Sequence, residues 1–354
     1  MSLARFLLRR FFQGIFVVWG AVTIMFALRE VSPGDPAVMM LGEGAQQDLI
    51  ETVREQEGLD EPVYVQYLEY LTGLVRGDLG FSWQSNREVE AMVIERVPAT
   101  LELAVAATIV AILIAIPLGV VSATRRNQPA DYGATLFSLL GISTPNFWLG
   151  IMLILLLGVW YGIPYPSLVV SVSGFVPDQL AVSIETINLP TGRREVGFRE
   201  ALGTLVFEQS VSEMGTFLRY ILLPAVTLGT YFTALITRLT RSGMLEELGK
   251  PYVTATRAKG LPGVLVRYKH VLRNTMIPIV TVLGLQLGTL LGGAIVTETV
   301  FNWPGLGQRL IDALNARDWP LLQGIVIFIA VAFVTLNTFV DLLYNYLDPR
   351  VSEA

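Results

Sequence analysis

Six stretches of this chain carry no charged residue and are each long enough to cross a lipid bilayer: 11–28, 103–124, 132–160, 220–237, 274–297 and 319–340. A helix needs about 20 apolar residues to span the roughly 30 Å hydrocarbon core. In lipid every backbone polar group must find its partner inside the structure, which leaves helices or a closed barrel. Runs of this length select helices, so the predicted fold class is all-α, a polytopic membrane protein with six transmembrane helices. Composition agrees: 16% of the residues are charged, against about 25% in soluble domains. Pro145 in the third run predicts a kink or an unwound turn. Beyond Trp160 the charge-free stretch continues, but "GIPYPSLVVSVSGFVP" holds three prolines. It reads as a loop or interfacial segment, with a re-entrant hairpin as the alternative.

Arginine and lysine in the short loops set the orientation. Arg5, Arg9 and Arg10 precede the first run with no acid among them, which places the N-terminus in the cytoplasm. The run is too long for a cleavable signal peptide, and no small-residue cleavage site follows it. Six crossings return the C-terminus to the cytoplasm, with Arg125 and Arg126 inside. The region 31–98 falls outside, with 13 acids against four arginines. Amphipathic helices around "LIETVREQEG" and "YVQYLEYLTGLV" make it a small folded cap.

Several functions are excluded at once. The chain has no cysteine, and His270 is its only histidine. Disulfide scaffolds and Cys/His metal sites are therefore out, as is any Ser-His or Cys-His catalytic machinery not built on His270 alone. It also lacks GxxxxGK[ST], so it does not bind ATP through a P-loop. Glu102, Glu298 and Asp341 lie near the ends of runs, where a side chain reaches headgroups or water. Deeper carboxylates would be expected in a proton-coupled carrier.

The fifth run holds Gly284, Gly288 and Gly292 at every fourth position, a flat strip that lets another helix approach closely. Gln286, Thr289 and Thr297 lie on the opposite face by the 100° helical step, together with Gly293. They are candidates to line a watery path; the alternative is that they bond only to backbone or adjacent helices. In the fourth run Thr230, Thr233, Thr237 and Thr240 share one face. Threonine in a membrane helix often bonds its own i−4 carbonyl, so these are read as structural first and path-lining second.

One segment does not suit its surroundings. "YVTATRAKGLPGVLVRYKHVLRNTMIPI", from Tyr252, carries Arg257, Lys259, Arg267, Lys269 and Arg273 between two apolar runs. Gly249 can end the helix before it, and Pro251 can open a new one. Gly260 offers a left-handed stop, and Pro262 begins a second short helix with Val264, Leu265, Tyr268, Val271 and Leu272 on an apolar face. His270 there is read as a packing or hydrogen-bonding residue. A loop that only grips anionic lipid needs charge but no glycine and proline punctuation. Two short helices at a sharp angle form a knob shaped for another protein.

With these residues in place, the chain resembles a permease subunit of binding-protein-dependent ABC importers, of the dipeptide/oligopeptide and nickel branch. "YVTATRAKGLPG" is similar to that branch's ATPase-coupling loop. The superfamily pattern is EAA, three residues, Gly, nine residues, then I-x-L-P. Thr254, Ala255 and Thr256 stand at EAA, Gly260 is kept, and His270, Leu272 and Arg273 stand at I, L and P, departures habitual in the peptide branch. "GDPAVMMLG", "GLDEPVYVQYLEYL", "GDLGFSW", "VPATLELA", "LTRSGMLEELGKPYV", "GLQLGTLLGGAIVTETVFNWPGLG" and "DLLYNYLDPR" occur in family order. The stretch from "IPYPS" to "GTF" exceeds the usual loop length.

The resemblance implies the type I importer permease fold and a chain that is not itself an enzyme. It implies a coupling loop of Thr254, Ala255, Thr256, Arg257, Ala258, Lys259, Gly260 and Leu261. It also implies partners: a second homologous permease, two ATP-binding subunits that hold ATP and Mg, and an extracytoplasmic solute-binding protein. This chain is expected to bind no cofactor, metal or nucleic acid, and to touch membrane lipid. The expected partition is 1–30 for the cytoplasmic N-terminus and first helix, 31–96 for the cap, 97–346 for the transporter domain and 347–354 for the tail. Within 97–346 lie the insertion 161–217 and the coupling loop 241–275. One rival is a self-sufficient secondary transporter, which an inverted repeat and buried carboxylates would favour; a second is a membrane-anchored receptor or scaffold, which a cytoplasmic signalling domain would favour. Cargo is read as peptides, with nickel chelates or oligosaccharides as alternatives.

Overall fold

The computed structural model describes residues 3–42, 44–160 and 211–347. Most of the insertion expected at 161–217, and the tail from 348, lie outside these residues. All six charge-free runs fall on helices. Helix α1 spans Leu3–Val31, α6 Val97–Thr124, α9 Val211–Leu248, α12 Leu272–Phe301 and α14 Trp319–Leu347. The third run forms α7 (Pro129–Ser143) and α8 (Asn146–Leu153), which continues as a π-helical stretch over Ile154–Val159. At about 1.5 Å per residue, the 28 residues of α6 exceed the hydrocarbon thickness. Four helical segments, at Arg5–Val31, Val89–Thr124, Tyr220–Leu248 and Trp319–Leu342, are long and apolar enough to cross alone, and the pair α7–α8 makes a fifth. Helix α12, 30 residues long, carries the remaining run. The insertion was expected to end at Phe217, but α9 already begins at Val211.

The chain divides into two compact units, and the division departs from the expected partition: Gly305–Thr335 joins Met1–Pro98 instead of the transporter domain. The reason is a shared core. Met25 of α1 and Val89, Met92 and Val93 of α5 (Val89–Ile94) are buried with Leu306 and Ala313 of α13 (Leu306–Asn315) and Leu321 and Ile325 of α14. Gln323 donates from Nε2 to the Met25 carbonyl at 3.2 Å, and a Cβ on Gly14 would meet Val334. These contacts make α1 and α14 antiparallel. Between α1 and α5 come α2 (Pro36–Leu41), α3 (Gln47–Gln56) and α4 (Val63–Arg76); the last two are the amphipathic helices expected in the cap. Asp35 caps α2 by accepting from the Ala37 N–H at 3.0 Å, with Pro36 at the first position, where its missing N–H costs nothing. Buried Asp318 accepts from Ser82 Oγ at 2.5 Å and from the Trp83 N–H at 3.1 Å. That cluster ties the turn before α5 to the start of α14.

In the second unit α6 presents a face of small residues, Ala104, Ala107, Ala111, Ala115 and Gly119, all buried. The face is small because α9 lies almost on its backbone. A Cβ at Gly229 would stand 2.7 Å from the Ala107 carbonyl oxygen, and one at Gly119 would stand 2.5 Å from Thr240 Cβ. Thr237 donates to the Ala115 carbonyl at 3.4 Å. The pairs rise together in sequence, so α6 and α9 run parallel. Gly243 against Thr275, with Leu223 and Phe301 in one cluster, makes α12 antiparallel to α9.

The pair α7–α8 turns through 106° at Thr144–Pro145, where the Pro145 ring removes an N–H and ends α7. It nevertheless stays beside α9 along its course. Asp131 meets Arg241, Gly141 meets Ala234 and Thr230, Gly150 meets Thr227, and Ile154 clusters with Leu223. From Arg241 to Leu223 is 18 residues of α9, about 27 Å of helix. The pair therefore covers the depth of one crossing, and α9 returning parallel to α6 requires that crossing.

Candidate functional site

The basic segment lies where α9 ends. Backbone N–H groups of Gly249 and Lys250 close the last turn on Glu246 and Glu247 at 3.2 and 3.1 Å. Helix α10 spans Pro251–Ala258, with Pro251 in its first turn and Lys250 extended before it. It stops at Gly260, whose φ of 77° is the left-handed conformation that glycine adopts without the Cβ penalty. Gly260 donates to the Arg257 carbonyl at 2.9 Å. A Cβ there would meet nothing within 4 Å, so the demand for glycine is conformational.

Two sets of contacts fasten α10. Val253 is buried with Val120 and Ala123 of α6, Met244 of α9, and Val266 and Val271. Glu247 is the polar anchor: it accepts from Lys250, from Tyr252 at 2.6 Å and from Asn274 Nδ2 at 3.4 Å, while Asn274 also reaches the Tyr252 hydroxyl at 3.2 Å. Burial and the bond to Glu247 push the Tyr252 phenol above its usual range. The same carboxylate holds the Lys250 ammonium above its own. One glutamate thus joins the ends of α9, α10 and α12. The outward face of α10 is Thr254, Ala255, Arg257, Ala258 and Lys259, exposed together with Gly260, while Thr256 and Leu261 are half-buried.

Beyond Pro262 the chain departs from the expected second short helix. Helix α11 (Gly263–Leu265) runs through a π-helical stretch, Val266–Val271, straight into α12, because no glycine or proline interrupts the chain between Gly263 and Pro278. The π turn also shifts the expected apolar face, of which Val271 and Leu272 do pack inward. Val266 and Val271 are the buried residues, whereas Val264, Leu265 and Tyr268 are exposed. Residues five apart lie about 140° apart on an α-helix, and the i→i+5 turn brings them onto one side.

The path candidates fare unevenly. Thr233, Thr237 and Thr297 are buried, in keeping with the structural alternative rather than with a place on a path. Thr230 and Thr233 bond the carbonyls of Val226 and Gly229 at 2.6 and 2.9 Å, the structural use foreseen for this face. Thr230 and Gln286 are half-buried. The side chain of Thr289 and the surroundings of Gly288 and Gly292 lie outside the described residues. Gly284 does serve close packing: a Cβ there would stand 2.7 Å from Val340 Cγ1 of α14.

Two buried carboxylates were misread or missed. Glu298, expected to reach headgroups, is fully buried and accepts from Thr100 Oγ1 at 2.7 Å; the Trp303 indole donates to the Ala99 carbonyl at 2.8 Å beside it. Asp131, buried near the opposite end of the bundle, is held by Arg241 and Ser122. Nothing local in the sequence marks that pairing, since its partners are 110 residues apart.

A multi-pass helical chain agrees with the comparisons to known proteins. The family described as "binding-protein-dependent transport system inner membrane component" matches residues 115–353. Its N-terminal companion family matches residues 3–104. The chain belongs to this family. It is a permease subunit of an ABC importer. The permease is 42% identical over 351 residues to the dipeptide transport system permease protein DppB of Escherichia coli (strain K12), covering 98% of each chain. It is 38% identical to the protein of that name in Alkalihalophilus pseudofirmus, over 97% of this chain and 98% of the relative. With the oligopeptide transport system permease protein AppB of Bacillus subtilis (strain 168) it shares 35% identity over 99% of each.

Proposed function

We propose that the permease imports peptides across the plasma membrane as half of a translocation pathway, driven by ATP hydrolysed on separate subunits. The cargo reading rests on the dipeptide and oligopeptide systems for which the relatives are named. Its partners are a second homologous permease, two ATP-binding subunits holding ATP and Mg, and an extracytoplasmic solute-binding protein. Both termini are cytoplasmic in this reading. The arginines before α1 support that side. Gln286, Thr230 and Thr289 remain the path-lining residues.

One observation carries the reading: α10 is anchored on one face and bare on the other. Val253 and the Glu247–Tyr252–Asn274 cluster fix it to α6, α9 and α12, while Thr254, Ala255, Arg257, Ala258 and Lys259 face outward. An ATPase that grips Thr254–Leu261 would move the ends of three membrane helices at once. ATP then biases the populations of inward- and outward-open states, as differential binding requires. The left-handed turn at Gly260 fixes the angle of this handle.

The test is Gly260→Val in the reconstituted importer. A β-branched residue at this φ is strained by about 1–2 kcal/mol. The variant should insert and bind the solute-binding protein normally, yet hydrolyse ATP without transport or lose its ATPase. Wild-type coupling would reduce α10 to a charged loop and sink the mechanism.

A further inference from the structure

We propose that α4 is an interfacial helix, half sunk into the bilayer surface beside α1, with its bare apolar stripe covered by lipid. The proposal needs only that α1 crosses the membrane. Its depth is fixed by α1 itself. The charge-free run of α1 ends at Leu28, and Arg29 marks the boundary, its guanidinium bonded to Glu30 at 2.8 Å and to Gln66 Oε1 of α4 at 3.2 Å. Next to Gln66 on α4, the Tyr67 hydroxyl meets Thr23 Oγ1 at 2.6 Å. Thr23 stands six residues inside Arg29, about 9 Å along the helix. Tyr67 and Tyr70 pack on Phe26 with ring centroids 5.1 and 5.8 Å apart. Helix α4 is therefore seated on the last two turns of the membrane-crossing segment, not above its end.

The side chains of α4 sort accordingly. Gln66, Tyr67 and Tyr70 meet α1. Next to that face Tyr64, Leu68 and Val75, with spacings of four and seven, form a stripe that is 69%, 57% and 89% exposed. Glu69 and Arg76 point to the far side by the 100° step. An apolar stripe this bare would be a liability in water. On its own free side α1 likewise exposes Ile24, Leu28 and Val31, as a membrane-crossing helix does. Helices of this kind bury their apolar face about 5–10 Å into the headgroup and acyl boundary, the depth at which Thr23 holds Tyr67. Tyrosines with an apolar body and a polar tip suit the same level.

The chain has no cysteine, so single probes are clean. The full permease carrying Leu68→Cys, Val75→Cys or Glu69→Cys is labelled with a nitrobenzoxadiazole dye and placed in phosphatidylethanolamine/phosphatidylglycerol nanodiscs. Quenching is read with lipid bearing a doxyl group near the headgroup and with aqueous iodide. The dye at positions 68 and 75 should be quenched several-fold more by the lipid than by iodide, and at position 69 the order should reverse. Two outcomes overturn the proposal. Equal iodide quenching at all three positions places α4 in water. Shielding at 68 and 75 that appears only when a solute-binding protein is added makes the stripe a protein-docking face.

Discussion

Arg241 grips Asp131 with two hydrogen bonds, Nε to Oδ1 at 2.7 Å and Nη2 to Oδ2 at 2.9 Å. Ser122 Oγ and the Asn127 N–H complete the carboxylate's partners at 2.5 and 2.9 Å. The α6–α7 turn is thereby latched to α9 two turns before that helix ends. The Asp131 side chain is 4% exposed and that of Arg241 31%, so the two partners are not equivalent. Arg241→Met strands a buried carboxylate and should cost about 3–5 kcal/mol. Asp131→Asn keeps the shape and leaves a guanidinium that reaches water, so its cost should be smaller. Thermal unfolding of the detergent-purified permease reads the order. The swap Asp131→Arg with Arg241→Asp should not rescue, because the Asn127 N–H can only donate. Equal losses in the two single variants would contradict this account.

Gly229→Ala should lower the yield of folded permease, because its Cβ would stand 2.7 Å from a backbone oxygen, that of Ala107. Backbone yields less than a side-chain tip, so the expected cost is about 1–3 kcal/mol. Gly133→Ala, where a Cβ meets nothing within 4 Å, is the matched control. Size-exclusion profiles of the two variants should differ clearly.

The π turn after Pro262 makes neighbouring residues behave oppositely. Val266→Asp places a charge in the cluster that holds α10 and should abolish folding. Tyr268→Ala and Val264→Asp alter only exposed side chains, leaving the purified permease as stable as wild type. If the ATPase contact extends over this face, they should weaken copurification of the ATP-binding subunits. A stability loss in Tyr268→Ala as large as in Val266→Asp would restore the regular α-helical register.

Orientation is open to direct labelling. A cysteine at Glu57 should react with an impermeant maleimide on intact cells. Cysteines at Ser242 and Lys259, both exposed, should react only after permeabilisation. Labelling of Lys259→Cys from outside would invert the topology and separate α10 from any cytoplasmic ATPase.

The sequence carried the helices well because length and charge decide what lipid tolerates. All six charge-free runs became helices, and α3 and α4 emerged from their periodicity. Gly260 and Pro262 marked the end of α10 because their backbone limits are local. What escaped depends on partners far away in the chain. Glu298 looked like an end-of-span acid, yet Thr100 supplies its donor from 198 residues away. Asp131 had no visible reason to be buried until Arg241 was placed beside it. The π turn was hidden because regular helical phase was assumed through Val271. The packing of Gly305–Thr335 with α1 and α5 was hidden for the same reason, since sequence order sets these elements far apart.

The two glycine contacts between α6 and α9 lie 11 residues apart on α9, at Gly229 and at Thr240, about 17 Å along the rod. A single tight contact would act as a pivot about which one helix could swing past the other. A second contact at this separation sets the heading as well, so sliding or rolling one helix on the other would break both close approaches. A displacement delivered at Lys250 must then reach Thr100 as a tilt of the whole pair, growing with distance from its fulcrum. If an ATPase drives the permease through α10, its stroke would then be angular, with an amplitude at the far end set by leverage rather than by how far α10 itself travels.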